Sequence, residues 1–501
     1  MPQTVAALDS ALGAADHSES SVGCLADEFA GACVALKIDL ILPNQRRADV
    51  FKYSFPFMYL GLPYVAAMTP PEHQVRITDD RFQEVNFDTD ADLIGLSILT
   101  PNAPRGYRIA DEFRRRGKKV VIGGIHASVV PEEALQHCDA VVVGEADGTW
   151  LRVLQDFERG SLQRIYRNES WPSLAGLPIP RRDLMAASRY LPLKTLETTR
   201  GCPHNCDFCG VSEYFGKSYR TRPIAEIEAE LRRMFVPQPQ IPRWAWNAMK
   251  IISPDFPYFA TRRLLYVVDN NVGFQRDYLR DLTRVIRETD VLWWCHATIN
   301  IARDNQMLEM LRDSRCIAVN VGFESLDRAE LDEMGKPFNR PEEYETLIRR
   351  FHAHNIGIMA TFMIGRDHDI PETYDRIAEF VERTKLDWAI ALILAPLPDT
   401  RSYHRLKAEG RILTENWEHY DNVHCVIRPN GMTPEQVERG FVHTWKRIFS
   451  LRSVYRRIWT KKPPVHRFFY TLMNLGFARK VRRWPDEGIS RYEAQMRATQ
   501  K

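Results

Sequence analysis

Three cysteines stand in the run Arg200-Gly201-Cys202-Pro203-His204-Asn205-Cys206-Asp207-Phe208-Cys209, spaced C-x3-C-x2-C. Thiolates four and then three residues apart can wrap one corner of an iron–sulfur cube. A [4Fe–4S] cluster has four irons to hold, and this run offers three ligands. The remaining iron would be open, and an open coordination position is where a metal does chemistry. A zinc site would pair its C-x2-C with a second set of Cys or His. No second C-x2-C follows here, and His204 lies inside the loop, where it would compete for the same metal. Core packing is a poor account of three thiols in eight residues beside Gly201 and Pro203.

Such a loop needs a scaffold, and the chain is long enough to supply one. Its 501 residues suggest two or three domains. With 44% apolar and 27% charged residues it has the balance of a globular protein, and a net charge of +3 gives no global pull toward polyanions. The other six cysteines are scattered, with no disulfide framework. Residues 1–30 carry no apolar signal core, and no apolar run reaches bilayer length. A reducing cytoplasm is the expected compartment.

The first half reads as alternating strands and helices. Strand patterns fall at 38–42, 74–78, 92–99, 119–122 and 140–143, with helical stretches at 57–68 and 108–116. Elements of this length predict a parallel sheet wound on both faces. Ligands on such sheets bind outside the carboxyl ends of the strands. Those ends carry Pro43-Asn44, Ser97 to Thr100, Gly123-Gly124 and Gly144-Glu145. In the second half, strand patterns at 193–198, 264–268, 292–298, 317–321, 358–364 and 389–394 give six βα units. That count suits a partial (β/α)6 barrel, whose active edge lies just past the strands. The expected organisation is a flexible leader at 1–35, a wound α/β domain at 36–160, a linker at 161–190, the barrel at 191–400 and a mainly helical region at 401–501.

Residues 36–160 resemble the cobalamin-binding domain that precedes the barrel in one class of radical SAM enzymes. The likeness rests on Ser97-Ile98-Leu99, on Gly123-Gly124-Ile125-His126-Ala127 and on Asp139 to Glu145. It implies that Ser97, Leu99, Thr100, Gly123, Gly124 and Glu145 border the nucleotide tail of cobalamin. Domains of the methionine-synthase type carry D-x-H-x-x-G after the first strand. Here the loop Pro43-Asn44-Gln45-Arg46-Arg47-Ala48-Asp49 has no histidine, which implies cobalt without a histidine ligand, or no cobalamin. The stretch 191–400 resembles the radical SAM superfamily. That likeness implies Cys202, Cys206 and Cys209 as cluster ligands, with S-adenosylmethionine (SAM) chelating the open iron. It places Phe208, Gly365 and Glu324 beside SAM. Asp269-Asn270-Asn271 stands where a G-G-E signature is usual and resembles the D-D-N run of the cobalamin-dependent branch; Asp269 is carried as a cofactor contact. The implied reaction is methylation of an unactivated carbon by way of a 5′-deoxyadenosyl radical, fed by a reductant such as flavodoxin or ferredoxin. The run Leu394 to Thr400 resembles the branch with hopanoid methylases, which favours a lipid-like or secondary-metabolite substrate.

Alternatives stay open at this point. One keeps the radical but closes, contracts or oxidises a ring without methyl transfer. Another is a non-catalytic iron–sulfur electron-transfer protein. Between Phe235 and Arg263 lies a Pro- and aromatic-rich insert that reads either as a lid or as a surface excursion with its own small core. Residues 441–485 hold twelve Lys or Arg, no Asp or Glu, and ten aromatics. This reads as a helical cap with solvated charges or as a peripheral membrane contact; nucleic acid is disfavoured. No catalytic acid or base is fixed. Tyr214, Tyr266, Cys295, His296 and Cys316 are candidates only by their place near strand ends.

Overall fold

The computed structural model describes residues 35–44, 56–235, 241–253, 255–459 and 466–490. Leu36–Lys501 form one compact unit, to which the following applies. The expected leader and most of the loop from Pro43 to Asp49 lie outside the described residues.

The first sheet has six parallel strands. They are β1 (Lys37–Leu42), β2 (Gln74–Asp79), β3 (Leu93–Ser97), β4 (Lys119–Gly123), β5 (Ala140–Val143) and β6 (Ile165–Arg167), in the order β2-β1-β3-β4-β5-β6. Successive side chains feed opposite faces. Ile41, Ile94 and Ile122 enter one core with Phe113, while Leu40, Val121 and Val142 enter another with Trp150. A sheet buried on both faces needs apolar residues at every position, which is why its strands read as continuous apolar runs. The winding direction reverses at the β1–β3 pair, so a crevice opens at the carboxyl end there. Strand β6 joins this sheet from within the stretch expected to be a linker. Its Ile165 and Arg167 are exposed and only Tyr166 is buried, so a three-residue edge strand carries almost no apolar signal.

The second sheet is also all parallel. Its strands β7 (Lys194–Leu196), β10 (Leu264–Val267), β11 (Leu292–His296), β12 (Cys316–Glu324), β13 (Gly357–Ile364) and β14 (Trp388–Ile393) lie side by side in chain order. This is a partial (β/α)6 barrel, with β7 and β14 as its two edges. Helices Arg276–Thr289, Asn305–Asp313, Tyr344–Ala353 and Pro371–Thr384 follow strands in βα fashion. Between β7 and β10 sits a short antiparallel hairpin, β8 (Thr199–Arg200) with β9 (Arg220–Thr221).

The C-terminal region is helical and caps the barrel. Helix Pro434–Ile448 starts in a capping box from Thr433 and Gln436. Phe441, Trp445, Phe449, Phe469, Phe477 and Trp484 are buried. Each such ring contributes roughly 2–3 kcal/mol by leaving water. The aromatics of 441–485 are therefore mostly core, as the cap reading expects. Arg457 is fully buried and donates to the carbonyls of Leu386 (2.7 Å) and Ile448 (2.9 Å) and to Asn474 Oδ1 (3.0 Å). Burial pushes its pKa down to about 10. In the insert, helices Arg243–Ile252 and Phe256–Ala260 pack through Trp246 on Tyr258, and Phe259 reaches Phe469 at 5.7 Å. Among the described residues no helix is long and apolar enough to cross a membrane.

Candidate active site

The cysteine loop leaves the hairpin at Gly201. This residue has φ +86°, and a Cβ there would lie 2.0 Å from the carbonyl oxygen of Ser218, so only glycine can make the turn. Asp269, just past β10, ties down the strand that leads into the loop. Its carboxylate accepts from Thr198 N (2.6 Å), from Thr198 Oγ1 and from Thr199 Oγ1 (2.8 Å). Burial raises its pKa to about 6 against the pull of those donors. Within the loop, Asp207 N donates to Met334 O (2.9 Å), and Asp207 O accepts from Ser402 N (3.0 Å). The loop is thus fastened to the barrel's later βα units.

Cys202, Cys206 and Cys209 are free thiols, and each is within electrostatic reach of another. Burial pushes all three up, Cys206 to about 12, while the ammonium of Lys336 acts in the opposite sense on each. Lys336 is buried; its Nζ donates to Glu324 Oε1 at 2.6 Å and to Gly322 O at 3.1 Å. His204 stacks on Phe338 at 4.1 Å. Among the described residues no three His, Cys, Asp or Glu side chains converge on one ion-sized point. A cube in which each thiolate binds its own iron does not ask for such a point, and the donor set fits a cluster of that kind.

Between the carboxyl edge of the first sheet and the hairpin strand that leads into the cysteine loop lies a cavity of about 530 Å³. Ser97, Leu99, Gly123, Gly124 and Glu145 line it from the first domain, and Thr199, Arg200 and Tyr214 from the second. A Cβ at Gly144 would meet nothing within 4 Å, so that strand end faces open space. The volume and the largely apolar wall suit a sizeable organic ligand or part of one.

Several expected cofactor contacts have other duties. Gly124 (φ +96°) would put a Cβ 2.7 Å from both Ile98 N and Ile98 O, so its bareness serves the contact between the ends of β3 and β4. Thr100 is buried away from the cavity, with its Oγ1 3.2 Å from His126 Nδ1. Glu145 lines the cavity, but its carboxylate is taken by Arg200 Nη1 (2.6 Å) and by Arg220. Glu324 is held by Lys336. Gly365 (φ +82°) donates its N–H to Asp369 Oδ2 at 2.7 Å and packs where a Cβ would strike Val437 at 2.9 Å. Phe208 is half-buried against the barrel core. Tyr214 donates to Gly144 O at 3.1 Å, a strut between the two sheets. Cys295 and Cys316 are buried in the barrel wall.

Inside the barrel is a second cavity, of about 610 Å³. Flat rings dominate its wall. Tyr266 stacks on Trp294 at 5.3 Å, Trp294 lies 5.7 Å from Phe469, and Trp388 meets Phe477 edge-on at 5.4 Å. Helix Arg467–Val481 closes one side through Leu472, Met473 and Gly476. Phe57 and Tyr266 line both cavities and so stand at their junction.

Residues 47–154 match the family model described as the B12 binding domain. Over 414 residues the chain is 30% identical to bacteriochlorophyllide d C-8(2)-methyltransferase of Chlorobaculum tepidum, covering 80% of this chain and 88% of that enzyme. The chain belongs to the cobalamin-dependent radical SAM methyltransferases. A second relative in this family is the hopanoid C-2 methylase of Rhodopseudomonas palustris, 26% identical over 76% of this chain and 72% of that enzyme. Among solved structures the fold is shared with the radical SAM methyltransferase TsrM of Kitasatospora setae, with cobalamin and [4Fe–4S] cluster bound in that protein. That match has a TM-score of 0.62 at 15% identity, over 89% of this chain and 99% of that one.

Sequence reasoning missed several charged groups around the cysteine loop and the joint between the domains. Lys336 sits 130 residues beyond Cys206 in the chain, in a stretch with no motif of its own. Arg200 and Arg220 pair across the hairpin β8–β9, whose two-residue strands are too short to show a period. Arg200 was in view only as the neighbour of the cysteines. Its interdomain partners Glu145 and Asp147 lie 55 and 53 residues away in the chain and meet it only where the two domains touch.

Proposed function

We propose that this chain methylates an unactivated carbon of an apolar, lipid-like or secondary-metabolite substrate held in the barrel cavity. The observation that carries the reading is the meeting of two cavities at Phe57 and Tyr266. One cavity lies between the B12-domain edge and the hairpin strand that leads into the cysteine loop, and the other lies inside the barrel. Cys202, Cys206 and Cys209 would hold the [4Fe–4S] cluster, and Ser97, Leu99, Gly123 and Gly144 would border cobalamin in the 530 Å³ cavity. When bound, these groups supply the electron that cleaves SAM and the methyl group that is transferred. The chain's own part is to orient and to shield. Gly201 turns the loop, Asp269 fixes the strand that leads into it, Lys336 sets a positive charge near its thiols, and Arg200 joins it to the first domain. The aromatic wall keeps water from the substrate carbon.

The test is anaerobic. The protein is reconstituted with iron, sulfide and hydroxocobalamin, freed of unbound ligand, and given reductant and SAM with candidate apolar substrates. Retained cobalamin with both 5′-deoxyadenosine and S-adenosylhomocysteine is the expected result. Deoxyadenosine alone, with no cobalamin retained, would sink methyl transfer and favour the ring-forming or oxidative reading.

A further inference from the structure

Apart from Lys480 on helix Arg467–Val481, the polar lining of the barrel cavity comes from three adjacent strands, each of which presents one polar side chain beside the junction. These are Tyr266 on β10, His296 on β11 and Asn320 on β12, with His296 and Asn320 direct register partners. Tyr266 Oη and His296 Nε2 are hydrogen-bonded to each other. Burial lowers the His296 pKa to about 4, so the ring is neutral near pH 7. A neutral imidazole whose Nε2 accepts from Tyr266 carries its proton on Nδ1. In either tautomer the pair keeps one donor and one acceptor for a ligand, Nδ1–H with a Tyr266 Oη lone pair where Nε2 accepts, or Tyr266 O–H with the Nδ1 lone pair where Nε2 donates; the Asn320 amide can serve as either. Polar groups in an otherwise apolar pocket fix ligand orientation and specificity. A site built to hydrogen-bond an oxygen function also rejects the analogue that lacks it.

From this we infer that Tyr266, His296 and Asn320 are the specificity-determining end of the substrate site, selecting a flat, fused-ring apolar molecule that carries a hydroxyl or carbonyl oxygen. The inference rests on the reading of the barrel cavity as the substrate site. Because Tyr266 also lines the cofactor-side cavity, the anchored oxygen brings its neighbouring carbons, rather than the far end of the ring system, to the junction.

The test uses the full chain without added cofactors and a matched pair of probes, 9-anthracenemethanol and 9-methylanthracene, which share a ring system and differ by one hydroxyl. Energy transfer from Trp294 and Trp388 in the cavity wall reports binding. The expected result is that Tyr266→Phe and His296→Phe each weaken the alcohol by ~10-fold, the worth of one buried hydrogen bond. The hydrocarbon should change by less than about twofold, since the apolar wall is intact. Equal weakening of both probes, no change in either, or no binding of either probe to the wild type overturns the inference. Retention of cobalamin by the reconstituted wild type, with both 5′-deoxyadenosine and S-adenosylhomocysteine formed from SAM, tests the methyltransferase reading separately, so failure of one is not failure of the other.

Discussion

Glu145→Gln should loosen the joint between the two domains. Glu145 is 4% exposed and receives Arg200 Nη1 (2.6 Å) and both terminal nitrogens of Arg220. Burial works against the charge of Arg200, and the carboxylates of Glu197, Asp147 and Glu145 more than offset that, leaving its pKa well above the usual value. After the substitution Arg200 still has Asp147 (2.7 Å) and Glu197 (2.9 Å), so it stays compensated. Arg220 does not. Its side chain is 14% exposed, and its remaining acceptors are the carbonyls of Pro172 (2.8 Å) and Phe215 (3.2 Å). Removing one partner of a buried pair costs roughly 3–5 kcal/mol when nothing replaces it. Glutamine keeps one acceptor and the carbonyls keep some of the hydrogen bonding, so the expected loss is ~2–3 kcal/mol. Urea denaturation followed by tryptophan fluorescence measures it. Arg220→Met with Glu145→Gln should lose much less than the sum of the single changes, because the charge left stranded by one is absent in the other. A single-variant loss below ~0.5 kcal/mol, or strict additivity in the cycle, would refute the idea that this pair bears on the joint.

Three further outcomes are expected. Cys202→Ala, Cys206→Ala and Cys209→Ala should each abolish cluster-specific visible absorption and deoxyadenosine formation after reconstitution, whereas Cys138→Ala, a buried thiol of the first domain, should keep both. Asp269 has its carboxyl raised from 3.8 to about 6 by burial, so its ionisation is harder in the fold than in the unfolded chain. The stability it contributes is full below about pH 4 and is lost as pH rises through about 6, roughly 3 kcal/mol over that window; Asp269→Asn should flatten that slope in denaturation midpoints measured from pH 4 to 7. Gly124→Ala should destabilise the first domain by about 2 kcal/mol or more, since its Cβ meets Ile98 backbone at 2.7 Å with φ +96°. Gly123→Ala, with its nearest neighbour at 3.6 Å, should leave the denaturation midpoint within ~0.5 kcal/mol and show its effect, if the cavity wall matters, in cobalamin retained after gel filtration.

Most of the architecture was legible because both sheets are parallel and buried on two faces. Strands such as β4 (Lys119–Gly123) and β14 (Trp388–Ile393) must then be apolar at nearly every position, and the intervening helices carry the polar residues. The elements that escaped are the short ones: β6 with one buried residue, and β8 and β9 with two residues each. Of the site, the thiols and the cavity glycines could be named from spacing and strand ends. The duties of the charged residues could not. Asp269, Glu145 and Glu324 all stand at or just past strand ends, where a ligand contact and a structural tie look the same in the chain. The difference lies in partners at 71, 55 and 12 residues' separation, Thr198, Arg200 and Lys336.

Those ties have a common chemical sense. Carboxylates at strand ends are spent on holding the strand that leads into the cysteine loop and its neighbouring domain, and the barrel cavity is left to mainly aromatic and aliphatic walls. A reactive carbon-centred species takes a hydrogen atom from whatever weak bond lies within reach, so a chamber for such chemistry has to exclude S–H groups. Cys295 sits between Trp294 and His296, both of which line the chamber, and along a strand neighbouring side chains point to opposite faces. Its thiol therefore faces away from the cavity, toward Cys316, which is buried in the same wall. Among the described residues the Tyr266 hydroxyl is the one O–H lining the chamber, and it is hydrogen-bonded to His296 Nε2. Replacing Trp294 or His296 by cysteine would bring a thiol into the chamber. If the chamber houses the radical, such variants should still cleave SAM to 5′-deoxyadenosine while methylated product falls, and unchanged product would argue that the chemistry happens elsewhere.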